Sequence, residues 1–231
     1  MMLKSLMILM IGVMLSTVSF GNDSPLRELL EKAKQNDVKA MERLGEAYLS
    51  GHDTEIDYKE AEKWFLKAIE GGNTRSYTNL GIMYLNGNGV KQDYKKAAEL
   101  FKKGTEAGDM KAPRYMGIIY EKGFGVEQNY EKAAEYYHIG DKRGDLTSQY
   151  NLGKLYEKGL GVSQDYKKAM ELYLKIGDRL DHVTTPSVVA IGDLYLNGNG
   201  VERNVEEAKN WYTKAADAGN EEAKKKLENL K

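Results

Sequence analysis

The chain has 231 residues, with 34 basic and 35 acidic side chains and a net charge of −1. No long run of one sign interrupts that balance, so the basic domain or stripe that nucleic-acid binding requires is missing. There is no cysteine, which rules out disulfides and a lipoprotein-type signal.

Residues 1–21 stand apart from the rest. Lys4 leads into the apolar run Leu6–Leu15, LMILMIGVML, and Ser19-Phe20-Gly21 places small residues just ahead of Asn22. This is the layout of a secretory signal peptide, cut between Gly21 and Asn22. As an uncleaved anchor the run falls short of the ~20 apolar residues a spanning helix needs. The expectation is an exported chain, periplasmic or secreted, with no membrane attachment after cleavage. Residues 22–35 read as an N-terminal capping helix, Pro25–Gln35, with Ser24 as N-cap and Pro25 at the first helical position. Leu26, Leu29, Leu30 and Ala33 share one face of it. It resembles the second half of a repeat without its first half.

From there a period takes over. Leu44-Gly45, Leu80-Gly81, Met116-Gly117, Leu152-Gly153 and Ile191-Gly192 recur at intervals of 36, 36, 36 and 39 residues. A fixed period in this range marks a stacked-repeat architecture. Each glycine is followed three residues later by tyrosine: Tyr48, Tyr84, Tyr120, Tyr156 and Tyr195. The Leu-type residue and the tyrosine lie four apart, on one helix face. A mid-helix glycine costs about 1 kcal/mol relative to alanine, so its recurrence predicts close approach of a neighbouring helix. Small residues five positions earlier (Ala40, Ser76, Ala112, Ser148, Ser187) predict the same.

Paired glycines follow at Gly87/Gly89, Gly123/Gly125, Gly159/Gly161 and Gly198/Gly200, as expected of turns needing positive φ at a helix end. They lack the preceding strand and the Lys-Ser/Thr tail of a phosphate cradle. A second helix is predicted after each N-cap: Asp57, Asp93, Asn129, Asp165 and Asn204. Glu60 and Glu207 stand where a glutamate bonds back to the cap region. Its buried face reads Ala61/Trp64/Phe65/Ala68, and equivalently Ala97/Leu100/Phe101/Gly104 and Ala133/Tyr136/Tyr137/Gly140. The last two copies read Ala169/Leu172/Tyr173/Ile176 and Ala208/Trp211/Tyr212/Ala215.

The copies close at Gly72, Gly108, Gly144 and Gly219, with Leu180 in the fourth, where Asp178–Pro186 carries the three-residue insertion. A longer loop there is cheap and read as a neutral insertion on a solvent face. The first copy has Asp53-Thr54 where the others have Gly-Val, as terminal repeats often do. Glu221–Lys231 reads as a charged capping helix with Ala223, Leu227 and Leu230 on one face. The domain plan is therefore a signal peptide at 1–21, a cap at 22–35 and repeats at 36–72, 73–108, 109–144, 145–183 and 184–219. A final cap covers 220–231.

The spaced pattern A/S-x3-LG-x2-Y-x2-G-x-GV-x2-DY-x2-A-x2-WF-x-KA-x2-G, five copies over 36–220, resembles the Sel-one-like repeat family, relatives of the tetratricopeptide repeats. The resemblance implies an all-α, α/α solenoid, a right-handed superhelix of five helix-turn-helix repeats with terminal capping helices. It also implies a role as adaptor in protein complexes. Exported bacterial members rich in cysteine carry a disulfide in each repeat, and some are described as binding or hydrolysing β-lactams. This chain has no cysteine, so nothing that depends on those bridges carries over.

The residues themselves give no chemistry. Ser-x-x-Lys, Ser-Asp-Asn and Lys-Thr-Gly, the signature of a serine β-lactamase, are all absent. His52, His138 and His182 fall in three different repeats without ligand spacing. The cluster His52, Asp53, Glu55 and Asp57 reads as a solvated acidic loop. No catalytic residue, metal or cofactor is expected, and a β-lactamase-like or cell-wall-active hydrolase is supported by family association alone. What remains is a surface. In tetratricopeptide-like superhelices the first helix of each pair lines the concave groove, and curvature makes that surface extended. Positions facing away from the Leu/Tyr stripe supply the candidates. They are Arg75, Thr78, Ile82 and Leu85, then Lys111, Arg114, Ile118 and Glu121, then Thr147, Tyr150, Lys154 and Glu157. Arg75, Lys111, Arg114 and Lys154 would form a basic strip receiving a carboxylate or an acidic peptide. Asn79 and Asn151 are expected to bond neighbouring helices. The reading is a non-catalytic scaffold that binds a protein or peptide in the cell envelope or outside the cell.

Overall fold

The computed structural model describes residues 25–176 and 184–230. The segment 1–21 expected to be a signal, the cut expected after Gly21, Ser24, and residues 177–183 of the insertion with Leu180 and His182 lie outside the described residues. The described residues form twelve helices and no strand. They are α1 (Pro25–Lys34), α2 (Val38–Ser50), α3 (Tyr58–Glu70), α4 (Arg75–Asn86), α5 (Tyr94–Glu106) and α6 (Ala112–Lys122). There follow α7 (Tyr130–Lys142), α8 (Leu146–Lys158), α9 (Tyr166–Leu174), α10 (Thr185–Asn197), α11 (Val205–Asp217) and α12 (Glu221–Glu228). None is long and apolar enough to cross a membrane.

The architecture is an α/α solenoid. Each first helix (α2, α4, α6, α8, α10) packs on its own second helix and on the second helix before it. Successive first helices also touch: α2 meets α4, α4 meets α6, and α6 meets α8. No two second helices pack as closely, so from α2 to α8 the first helices form the tighter, inner row.

The repeated glycine explains how the pair closes. A Cβ on Gly45, Gly81, Gly117, Gly153 or Gly192 would lie 2.4 or 2.5 Å from a ring carbon of Phe65, Phe101, Tyr137, Tyr173 or Tyr212. All five rings are fully buried. The helix-weakening glycine is therefore a socket for the aromatic of its own second helix. The small residues five positions earlier serve the other side. Ala112 and Ser148 pack on Gly104 and Gly140 of the preceding second helix: a Cβ on Gly140 would clash with Ser148, and one on Gly104 would be tight against Ala112.

The connections repeat as well. Asp57, Asp93, Asn129, Asp165 and Asn204 all cap the second helices through their side chains. Their own N–H groups donate to the carbonyls of Tyr48, Tyr84, Tyr120, Tyr156 and Tyr195, each at 2.9 Å. That carbonyl takes the place expected for a returning glutamate, and Glu60 instead accepts from Lys63. The second turn glycine does more than supply positive φ. Gly89, Gly125 and Gly200 sit against Tyr58, Tyr94 and Tyr166, which open the second helices of the preceding repeats. In the first copy Asp53 takes the left-handed backbone (φ 61°) that glycine takes elsewhere, a conformation Asp tolerates. Asp37 and Asn220 cap α2 and α12. The residue after each exit glycine does the same for the inner row, since Asn73, Asp109 and Asp145 accept N–H groups at the starts of α4, α6 and α8.

Candidate functional site

The inner row is the surface on which the expected groove residues fall, and the structure sorts them into two groups. In the first three copies the position three before the Leu-Gly glycine reaches the cap of the next first helix, 31 residues on. Glu42 accepts from Asn73 at 3.0 Å, Thr78 donates to Asp109 at 2.8 Å, and Arg114 donates to Asp145 at 3.2 Å. Thr78 is 1% exposed, and the Arg114 side chain is 16% exposed. These residues lock consecutive repeats together, so Thr78 and Arg114 belong to a seam and not to an open groove. Arg114 also donates to Thr147 and stacks over the Tyr115 ring.

Nor do the four cations make a continuous basic strip. Arg75 faces Glu42 at 3.2 Å and Glu46 at 3.5 Å. Lys154 feels the carboxylates of Glu121 and Glu157, with Lys158 and Lys122 also near; burial holds its ammonium below the usual lysine range. The carboxylates that pair with Arg75 and Arg114 stand one repeat away, so both charges look unpaired when the chain is read in line. Asn79 donates to Glu46, and the side chain of Asn151 lies against Tyr137.

The second group stays half-exposed on the inner row: Ile82, Lys111, Ile118, Tyr150 and Lys154. Ile82 and Leu85 border the core around Phe101, and Ile118 borders the next one along. Lys154 Nζ lies 5.1 Å from the centre of the Tyr150 ring, which is itself tilted against Tyr173 at 5.8 Å. Burial first, then the charges of Glu157, Glu222 and Asp193, raise the Tyr150 hydroxyl above the ordinary tyrosine value.

Two of the candidate inner-row carboxylates, Glu121 and Glu157, and a third, Asp193, hold buried tyrosine hydroxyls, a role the residues read in line do not reveal. Glu121 and Glu157 accept the hydroxyls of Tyr137 and Tyr173 at 2.7 Å, and Asp193 accepts that of Tyr212 at 2.6 Å. Asp193 also pairs with Lys226 of α12 at 2.8 Å. The signal was in the copies. Phe65 and Phe101 are preceded sixteen residues earlier by Leu49 and Leu85, while Tyr137 and Tyr173 are preceded by Glu121 and Glu157. The inner face is consequently apolar around Leu49, Ile82 and Leu85 and ionic around Glu121, Lys154 and Glu157.

Among the described residues no group of three or more His, Asp or Glu side chains could hold a metal ion. His52 lies 3.4 Å from Asp53 on an exposed loop. The arrangement among the described residues supplies a surface of mixed polarity.

The Sel1 repeat model matches residues 38–73, 74–109, 114–140, 146–179 and 187–220. The structure is similar to that of c5321, a protective antigen of uropathogenic Escherichia coli with an SLR fold, at 30% identity and a TM-score of 0.77. That match covers 87% of this chain and 43% of the antigen, so the chain spans less than half of the antigen's length. A Sel1 repeat protein from Oxalobacter formigenes is also 30% identical, with a TM-score of 0.77, covering 89% of this chain and 82% of that one. The immunity protein Pa5087 of Pseudomonas aeruginosa, at 19% identity and a TM-score of 0.56 over 84% of this chain and 73% of its own, shares the fold alone. No curated protein matches. Sel1 repeats are scaffolds that commonly mediate protein interactions, and with five matched copies this chain belongs to the Sel1 repeat family.

Proposed function

We propose that the chain is a non-catalytic scaffold, exported to the bacterial envelope or beyond it, that binds a protein or peptide along its inner row of helices. One observation carries this reading. Once capping, socket and seam residues are subtracted, Ile82, Ile118, Tyr150 and Lys154 remain half-exposed together on one row. Solenoids use such extended concave surfaces for recognition. The partner that fits carries apolar side chains for Ile82, Leu85 and Ile118 and polar or charged ones for Tyr150 and Lys154. An acidic character of the partner rests on Lys111 and Lys154, since Arg75 and Arg114 are already satisfied. Export rests on the segment 1–21.

The test is affinity capture from the native host with the mature chain and with an Ile82→Asp/Tyr150→Ala variant of unchanged circular dichroism. Loss of the same proteins from the variant supports the reading. Equal recovery removes the inner row as the binding face.

A further inference from the structure

α1 has the place of a second helix, and among the described residues no first helix is paired with it. Leu29 precedes Phe65, and Asp37 precedes Asn73, by one repeat period, so α1 corresponds to α3. Phe65 is closed over by Gly45 of its own first helix. No first helix precedes α1 among the described residues. Where it would lie there is a cavity of about 330 Å³ lined by Leu26, Leu29 and Ala47, with Arg43 and Glu46 at its edge. Ala47 stands where α4 has the fully buried Met83.

Inside the array the same seam carries charge. Arg75 and Asn79, six and two residues before Gly81, reach back from α4 to Glu42 and Glu46 of α2. The residues six and two before Gly45 in α2 are Lys39 and Arg43. Both are exposed, and neither makes an ion pair among the described residues. A helix seated against α1 and α2 would meet these cations as α2 meets Arg75 and Asn79, with carboxylates. It would turn apolar side chains toward Leu26, Leu29 and Ala47.

We infer that the N-terminal end of the array takes up an acidic amphipathic helix of a partner protein, which completes the half repeat begun by α1. This is helix-in-groove recognition with the groove's dimensions set by the repeat itself. The seat lies at the end of the array, so it stands apart from binding at Ile82, Tyr150 or Lys154.

The probe is a fluorescein-labelled peptide of residues 37–51 of this chain. It reproduces a first helix with its cap and carries Glu42 and Glu46. Polarisation is followed as the mature chain is titrated in at low salt. Saturable binding is expected, about tenfold weaker for Lys39→Glu/Arg43→Glu, since two exposed ion pairs are reversed. Glu42→Gln/Glu46→Gln in the peptide is expected to weaken it similarly, and Ala47→Arg to abolish it. Arg43→Glu alone, on the surface, keeps the test valid if Ala47→Arg fails to fold. An Ile82→Asp/Tyr150→Ala chain is expected to bind the peptide as the parent does. No saturable binding, or binding indifferent to the charge reversals, overturns the proposal. So does binding to a 25–231 chain but not to the 1–231 chain, which would assign the seat to the chain's own N-terminal residues.

Discussion

Glu121 on α6 accepts the hydroxyl of Tyr137 on α7 at 2.7 Å, beside the contact that Gly117 makes with the same ring. The hydroxyl and the carboxylate occur together or not at all in copies one to four. Where the inner row carries Leu49 or Leu85, the socket holds Phe65 or Phe101. A buried hydroxyl without an acceptor costs about 1–3 kcal/mol, and a carboxylate facing a bare ring gains nothing, so the two positions are bound to change as a pair.

Exchanging the pair of repeat 3 for that of repeat 2 tests this directly. Tyr137→Phe is expected to cost about 1–2 kcal/mol, as a charge-assisted hydrogen bond is lost. Tyr137→Phe/Glu121→Leu is expected to return most of that stability. Urea unfolding of the two single variants and the double variant reads the coupling. Additive effects would show that the pair is not a unit.

Acid titration gives a second expectation. Burial alone would raise the Glu121 carboxyl, but the hydrogen bonds from Tyr137 and Lys122 and the Lys122 charge outweigh it, leaving it below the ordinary glutamate value. With the folded value below the unfolded one, the unfolded chain binds more protons between them. The contribution is therefore complete above the unfolded value, near pH 4.5, and fades as pH falls through the folded value. Glu121→Gln should flatten the acid-side loss of stability, measured as the urea midpoint from pH 6 to pH 3. A midpoint curve parallel to that of the parent would contradict the assignment.

Gly117→Ala should destabilise the chain although alanine is the better helix former by about 1 kcal/mol. The new Cβ would stand 2.4 Å from Tyr137 Cε1, and overpacking of this kind costs about 1–3 kcal/mol. Gly117→Ala/Tyr137→Leu, with a smaller side chain in the socket, should recover part of the loss. A stabilised Gly117→Ala in denaturant unfolding would remove the socket from the account.

Much of this was legible in the line of residues because five copies of one design could be laid over one another. The turn glycines, the Asp and Asn caps and the aromatic faces recur in register, and recurrence separates what folds the chain from what varies on it. The close approach at Gly45, Gly81, Gly117, Gly153 and Gly192 was legible too, since nothing else explains a glycine inside a helix five times. The seam was not. Thr78–Asp109 and Arg114–Asp145 join different repeats 31 residues apart, while the sequence period is 36. Which side of a first helix faces the next repeat depends on how the pairs stack, and no periodicity within one helix contains that rotation. Charges at Arg75 and Arg114 therefore looked free, although their partners stand one repeat away. The Tyr–carboxylate pairs were within reach of the same superposition of copies, had the varying positions been compared in pairs.

Site-specific photo-crosslinking in the native host puts the central claim to the most direct test. A benzophenone amino acid replaces Tyr150 on the inner row in one strain and Leu66, an exposed residue of the outer helix α3, in another. A discrete crosslinked partner is expected from position 150 and none from position 66. A partner captured from position 66 and absent from position 150 would place binding on the outer row and contradict that claim.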